Sequence, residues 1–144
     1  MKRVLLYPIF IFLFLVLSGC SANYKEISSE PNFSQYIDQT YVLNENMSIR
    51  GINLPPGYGE TVDVYMVGKL YEVEHKAPEE VTFTVFPKGS KFTITGAYEC
   101  TNCLSFTKLR HVSIATEDFE KSVNVPITMP MHEIENKETV ALVK

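Results

Sequence analysis

Cys100-Thr101-Asn102-Cys103 is the spacing in this chain most suggestive of thiol chemistry. A redox-active pair needs its first thiolate at a helix N-terminus, where backbone N–H groups stabilise the anion. Leu104-Ser105-Phe106-Thr107 continues instead as alternating apolar and polar residues, so that stabilisation is not expected. A structural zinc site needs two further ligands, a second CxxC or a histidine pair, whereas His75, His111 and His132 are scattered singly. The spacing therefore predicts a local disulfide between Cys100 and Cys103, with zinc binding and redox activity as its alternatives. So small a loop adds only about 2 kcal/mol on the chain-entropy model.

Met129-Pro130-Met131-His132-Glu133 offers two thioethers and an imidazole, soft ligands suited to Cu(I). Two methionines and one histidine are few, and the segment follows an apolar run, so packed methionines and a solvated His132 are expected. Metal handling through Met129, Met131 and His132 stands as the alternative, and no cofactor is expected. The carboxylate clusters Glu79-Glu80, Glu117-Asp118 and Glu133/Glu135 fall in turns or exposed stretches with no apolar pocket to raise a pKa. No GxSxG is present. These features predict a chain that is not an enzyme.

A binding surface is the remaining kind of site. Leu54-Pro55-Pro56-Gly57-Tyr58-Gly59 combines a rigid Pro-Pro with two conformationally free glycines, and it can display Tyr58. An exposed aromatic on such a loop suits a sugar ring or a partner chain. The duller alternative folds Tyr58 back onto the core. Tyr65, Tyr71 and Tyr98 are the strand tyrosines that would extend a face around Tyr58, and Tyr58, Tyr65 and Tyr71 are its candidate binding residues.

The elements that must position these residues are β-type from Thr40 onward. Val62, Val64 and Met66 alternate with Asp63 and Tyr65, and Gly68 then predicts a bulge or bend. Val81, Phe83 and Val85 alternate with threonines, and Phe92 and Ile94 do the same on a return strand. Pro87-Lys88-Gly89 between them predicts a type I turn and a hairpin over about residues 81–99. Further short runs at 104–108, 112–116, 123–128 and 139–143 bring the count to seven or so strands. Thr116 to Lys121 predicts one helical turn with Thr116 as its N-cap. The expected fold is all-β, a small antiparallel barrel (SH3-like or OB-like) or a compact β-sandwich with one short helical turn. Val85 to Ile94 resembles the Pro-x-Gly hairpin of bacterial SH3-like domains, though the chain has no tryptophan.

At the N-terminus, Lys2-Arg3 precede an apolar stretch of fourteen residues, Val4 to Leu17, which ends at Leu17-Ser18-Gly19-Cys20. A membrane span needs roughly 20 apolar residues, so the stretch suits a cleaved leader better. Residues 1–20 resemble the type II signal peptide of bacterial lipoproteins. The resemblance implies cleavage before Cys20 and acylation of Cys20. In a Gram-negative cell, Ser21 in place of the inner-membrane aspartate would imply the periplasmic face of the outer membrane. An exported chain also favours pairing of the two remaining cysteines.

The expected organisation is a signal peptide at 1–19, a lipidated tether at 20–39 and a single β domain at 40–144. Loss of Lys2 and Arg3 leaves 11 basic against 17 acidic side chains. That balance argues against nucleic acid and against electrostatic attachment to anionic lipid. The sequence thus predicts a lipid-anchored, non-enzymatic binding or structural module of the cell envelope, for a protein partner or for cell-wall glycan (peptidoglycan). A periplasmic copper- or zinc-handling lipoprotein is the alternative.

Overall fold

The computed structural model describes residues 22–54, 61–70, 80–103, 108–119 and 124–143. Nine strands form one sheet: β1 (Tyr24–Glu26), β2 (Thr40–Leu43), β3 (Met47–Ile52), β4 (Val64–Lys69), β5 (Glu80–Phe86), β6 (Lys91–Cys100), β7 (Arg110–Ala115), β8 (Ile127–Pro130) and β9 (Val140–Leu142). Two single helical turns, α1 (Pro31–Ser34) and α2 (Met131–Glu135), complete it. The fold is all-β. Its path runs β5-β3-β4-β8-β7-β6-β2-β9, with β1 on β6, and is open among the described residues. Among the described residues the pairings are antiparallel except β4 with β8. No helix among the described residues is long and apolar enough to cross a membrane.

One bent ribbon organises the sheet. Thr40 faces Thr93 and Met47 faces Phe86, so the β2–β6 and β3–β5 pairings share one unslipped register through a corner. Leu43 donates to the Ser90 carbonyl at 3.0 Å and Gly89 donates to Leu43 at 2.9 Å, stitching that corner. The expected 81–99 hairpin is therefore corrected: β5 and β6 are consecutive but do not pair. Each finds its partner on the β2–β3 segment instead. The turn between them closes with Ser90 N–H on the Pro87 carbonyl, and Gly89 takes a φ of 91°. That positive φ at the third turn position is type II geometry, one residue later than a Pro at the second position implies. Phe86 and Phe92 flank the corner with ring centroids 6.4 Å apart, and Tyr41 stacks on Phe92 at 5.8 Å.

The core collects side chains from both ends of the sheet path. Phe86, Phe92, Ile94, Val112, Met129 and Met47 are each at most 1% exposed, as the alternation in β6 requires. In β4 the phase is opposite to the expected one: Tyr65 and Val67 point inward, while Val64 and Met66 are half-buried outside. Gly68 carries no bulge, since β4 pairs with β3 without a slip from Met47–Lys69 to Ile52–Val64. The register shifts fall at Gly51/Ile52 in β3 and Ile94/Gly96 in β6.

Residues 22–39, expected as a free tether, are part of the body. Tyr24, Lys25 and Glu26 pair with Cys100, Glu99 and Tyr98. Ile27 N–H donates to Ala97 at 2.8 Å, and the Ala97 N–H donates back to the Ser28 hydroxyl at 2.9 Å. Pro31 opens α1, where a missing N–H costs nothing. The turn buries Phe33 beneath the Arg110 guanidinium, 5.0 Å from the ring centroid. Asp38, at a φ of 61°, ends the excursion and donates to Ile94.

The helical turn expected at 117–121 is not formed at Glu117–Phe119, which is a bend; residues 120–123 lie outside the described set. Thr116 keeps part of its expected role, accepting the Asp118 N–H at 3.1 Å. It also donates to the Lys91 carbonyl, which ties the bend to β6.

Candidate functional site

The cysteine pair is bonded as expected: Cys100 and Cys103 form a disulfide with Cα atoms 5.7 Å apart. Cys100 ends β6, so the bridge closes a tight loop at the sheet margin. That loop clasps the N-terminal segment. Thr101 donates through its N–H (2.8 Å) and its hydroxyl (3.1 Å) to the Asn23 carbonyl, and Asn23 N–H donates to Asn102 Oδ1 at 2.6 Å. Replacing both cysteines by serine is expected to lower unfolding free energy by about 2 kcal/mol, checked by urea denaturation. A loss near zero would mean the clasp holds without the bridge.

Around this end, Glu99 accepts from Arg110 at 2.8 Å and pairs with Lys108 at 3.1 Å. These two hydrogen bonds hold the Glu99 carboxyl below its ordinary range. Tyr24 packs edge-on against His111, with centroids 6.0 Å apart. Burial, and secondarily the nearby His132, hold the His111 imidazole below the ordinary histidine value. The folded state therefore binds that proton less readily than the unfolded chain. The stability His111 contributes is complete above the unfolded value and is lost as pH falls through the folded one. Urea midpoints are expected to drop as pH is lowered from about 7.5 to about 5, and to drop less in His111→Gln.

The Met129–Glu133 segment is divided between core and surface. Met129 ends in the core at 0% exposure and Met131, the first residue of α2, is 4% exposed, while the His132 side chain is 75% exposed. The two thioethers are packed in the core while the imidazole faces solvent. Among the described residues no cluster of three histidine, cysteine or acidic side chains could hold a metal ion. Glu133 is buried instead by its fold role, with the Thr139 hydroxyl 3.3 Å from its carboxylate.

Of the tyrosine face expected around Tyr58, the described residues include only Tyr65 and Tyr98. Tyr65 is 6% exposed, and its ring packs edge-on against Phe119 at 5.0 Å, so it serves the core. Tyr58 and Tyr71 lie outside the described residues, while the base of the 54–59 loop is firmly held. Asn53 Nδ2 donates to Asp63 at 3.0 Å and to the Thr61 carbonyl at 2.9 Å, and Leu54 N–H donates to Asp63 at 2.8 Å.

The structure points to a different surface. In β5, the terminal strand of the sheet path, Thr82 to Val85 are all exposed, with Phe83 at 42% and Val85 at 45%. The sequence pattern of Val81, Phe83 and Val85 is that of a core-facing strand, yet only Glu80 and Phe86 at its ends are buried. Register carries this face across the sheet: Phe83 sits opposite Arg50 and Arg50 opposite Met66. Arg50 Nε is buried without a hydrogen-bond partner among the described residues. Gly68 gives the guanidinium room, since a Cβ there would come within 3.3 Å of it. An apolar strand face beside the half-buried Arg50 guanidinium is a surface suited to a ligand with apolar groups and an acceptor.

A second concavity, about 380 Å³, is lined by Thr40, Thr93, Lys91, Thr116 and Asp118 among others. Its polar groups hold one another: Thr40 and Thr93 hydroxyls lie 3.0 Å apart, and Lys91 N–H donates to Asp118 at 2.8 Å. No protein-family model, curated protein or solved structure matches the chain.

Proposed function

We propose that this is a lipid-anchored module of the cell envelope that binds a protein partner through the outer face of β5, β3 and β4 and catalyses no reaction. The address rests on the leader ending in Leu17-Ser18-Gly19-Cys20, and a bonded Cys100–Cys103 pair accords with an oxidising compartment. In a Gram-negative cell the expected location is the periplasmic face of the outer membrane.

The observation that carries the binding reading is the exposure of Phe83 and Val85 on a strand whose alternation is that of a buried face. Apolar strand faces left in water at the end of a sheet invite association, and proteins ordinarily blunt or cover them. A protein segment is favoured over cell-wall glycan because the surface is aliphatic and aromatic with one cationic donor. A glycan would call for more polar groups than Phe83, Val85 and Met66 provide. The partner's matching chemistry is an apolar side chain beside a carboxylate or carbonyl acceptor for Arg50.

A photo-crosslinking residue at position 83, in the full chain in intact cells, is expected to yield one dominant protein adduct. The same residue at exposed Glu117 is expected to yield none. Equal adducts at both positions, or none at 83, would remove this face as the binding surface.

A further inference from the structure

The clasp on Asn23 fixes the domain's posture on its membrane. We propose that the Cys100–Cys103 end rests directly on the phospholipid bilayer, with Tyr24 and Leu109 seated among the headgroups; this rests on the reading of Cys20 as the acylated residue. Only Ser21 and Ala22 separate Cys20 from Asn23. Asn23 itself is held at both its N–H and its carbonyl by the disulfide loop. Three residue steps of fully extended chain span at most about 10 Å. An acylated Cys20 lies at the headgroup level, so the disulfide loop cannot stand farther than that from it.

The surface at this end fits such contact. Tyr24 is 50% exposed and Leu109 is 40% exposed, large apolar side chains that the fold leaves uncovered. They share one end of the sheet: Tyr24 pairs with Cys100, and Cys100 N–H donates to the Leu109 carbonyl at 2.9 Å. A tyrosine with an apolar body and a polar tip is suited to the interface between water and acyl chains. Thr101 and Asn102 add exposed polar groups beside them. Lys108 and Arg110 are both engaged by Glu99 and Lys25 by Glu30, and with Glu26 on β1 the three cations at this face meet three carboxylates. The contact is accordingly apolar and independent of anionic lipid. Lys88, at the ribbon corner, sits beyond the opposite end of β6, whose ten residues span roughly 30 Å.

The chain contains no tryptophan, so a single introduced one reports its own surroundings. Full-length acylated protein carrying Tyr24→Trp, Leu109→Trp or Lys88→Trp is reconstituted into phosphatidylcholine vesicles with brominated acyl chains. Emission from positions 24 and 109 is expected to fall about twofold relative to unbrominated vesicles and to stay quenched in about 0.5 M salt, with position 88 unchanged. Protection of the Thr101 and Asn102 amides from hydrogen exchange, in wild-type protein with and without vesicles, provides a readout free of substitutions. Positions 24 and 109 quenched no more than 88, in protein whose Cys20 is shown to carry lipid, would overturn the posture and leave the anchor standing. A Cys20 with a free thiol in cell-derived protein would overturn both.

Discussion

Phe92→Ala is expected to cost about 3–5 kcal/mol of unfolding free energy, a large part of what a domain of this size ordinarily has. Phe92 is 1% exposed, stacked on Tyr41 and against Phe86 where the ribbon turns its corner. Removing its ring leaves a cavity between two segments whose backbone is stitched by the Leu43, Gly89 and Ser90 hydrogen bonds and cannot collapse freely. Thermal unfolding should fall by about 15 °C or more on the size scaling of such domains. Phe83→Ala supplies the control. The same truncation at a 42% exposed ring should change stability little. If the two variants lost equal stability, β5 would be covered in the folded protein and the corner would not be the centre of packing.

Cys20→Ala carries the other large expected effect, because on the anchored reading proposed above acylation is all or none. The variant is expected to take up no fatty acid and to keep its nineteen-residue leader, visible as slower migration. Each buried CH₂ is worth about 0.8 kcal/mol, so two or three acyl chains hold a protein firmly where one does not. A Cys20→Ala chain that is still trimmed to the mature length would point to a different processing route.

How far the sequence spoke for the fold depended on how different the two faces of each strand were. In β6, Phe92 and Ile94 alternate with lysine and threonine, and they are the residues that became buried. In β4 both faces are apolar, with Val64 and Met66 on one and Tyr65 and Val67 on the other, so alternation alone could not choose. Packing chose Tyr65 and Val67, which removed Tyr65 from the expected binding face. A turn near Pro87–Gly89 was legible from local chemistry, but its type, its register and the partners of its two strands were not. Those partners lie far earlier in the chain, on β2 and β3, and long-range pairing leaves no local signature.

The N-terminal segment shows the same limit. Tyr24-Lys25-Glu26 has no apolar periodicity, and its order comes from hydrogen bonds to β6 and from Ile27 and Phe33 beneath it. A weaker alternative to the tether lay in Phe33, Tyr36 and Ile37, whose spacing allows one short helical turn docked on the domain. Phe33 is buried and the other two pack on the core. The candidate surface was legible in a reversed sense. Val81, Phe83 and Val85 read as core, and only the three-dimensional arrangement reveals that Phe83 and Val85 stay exposed. The disulfide, by contrast, followed directly from spacing and the expected compartment.

The direct test of the anchored reading is the mass of the N-terminal fragment of the protein taken from cells. A fragment beginning at Cys20, heavier by two or three acyl chains on its thiol-linked glycerol and amine, is the expected result. A fragment beginning at Met1, or one whose Cys20 carries an unmodified thiol, would contradict it.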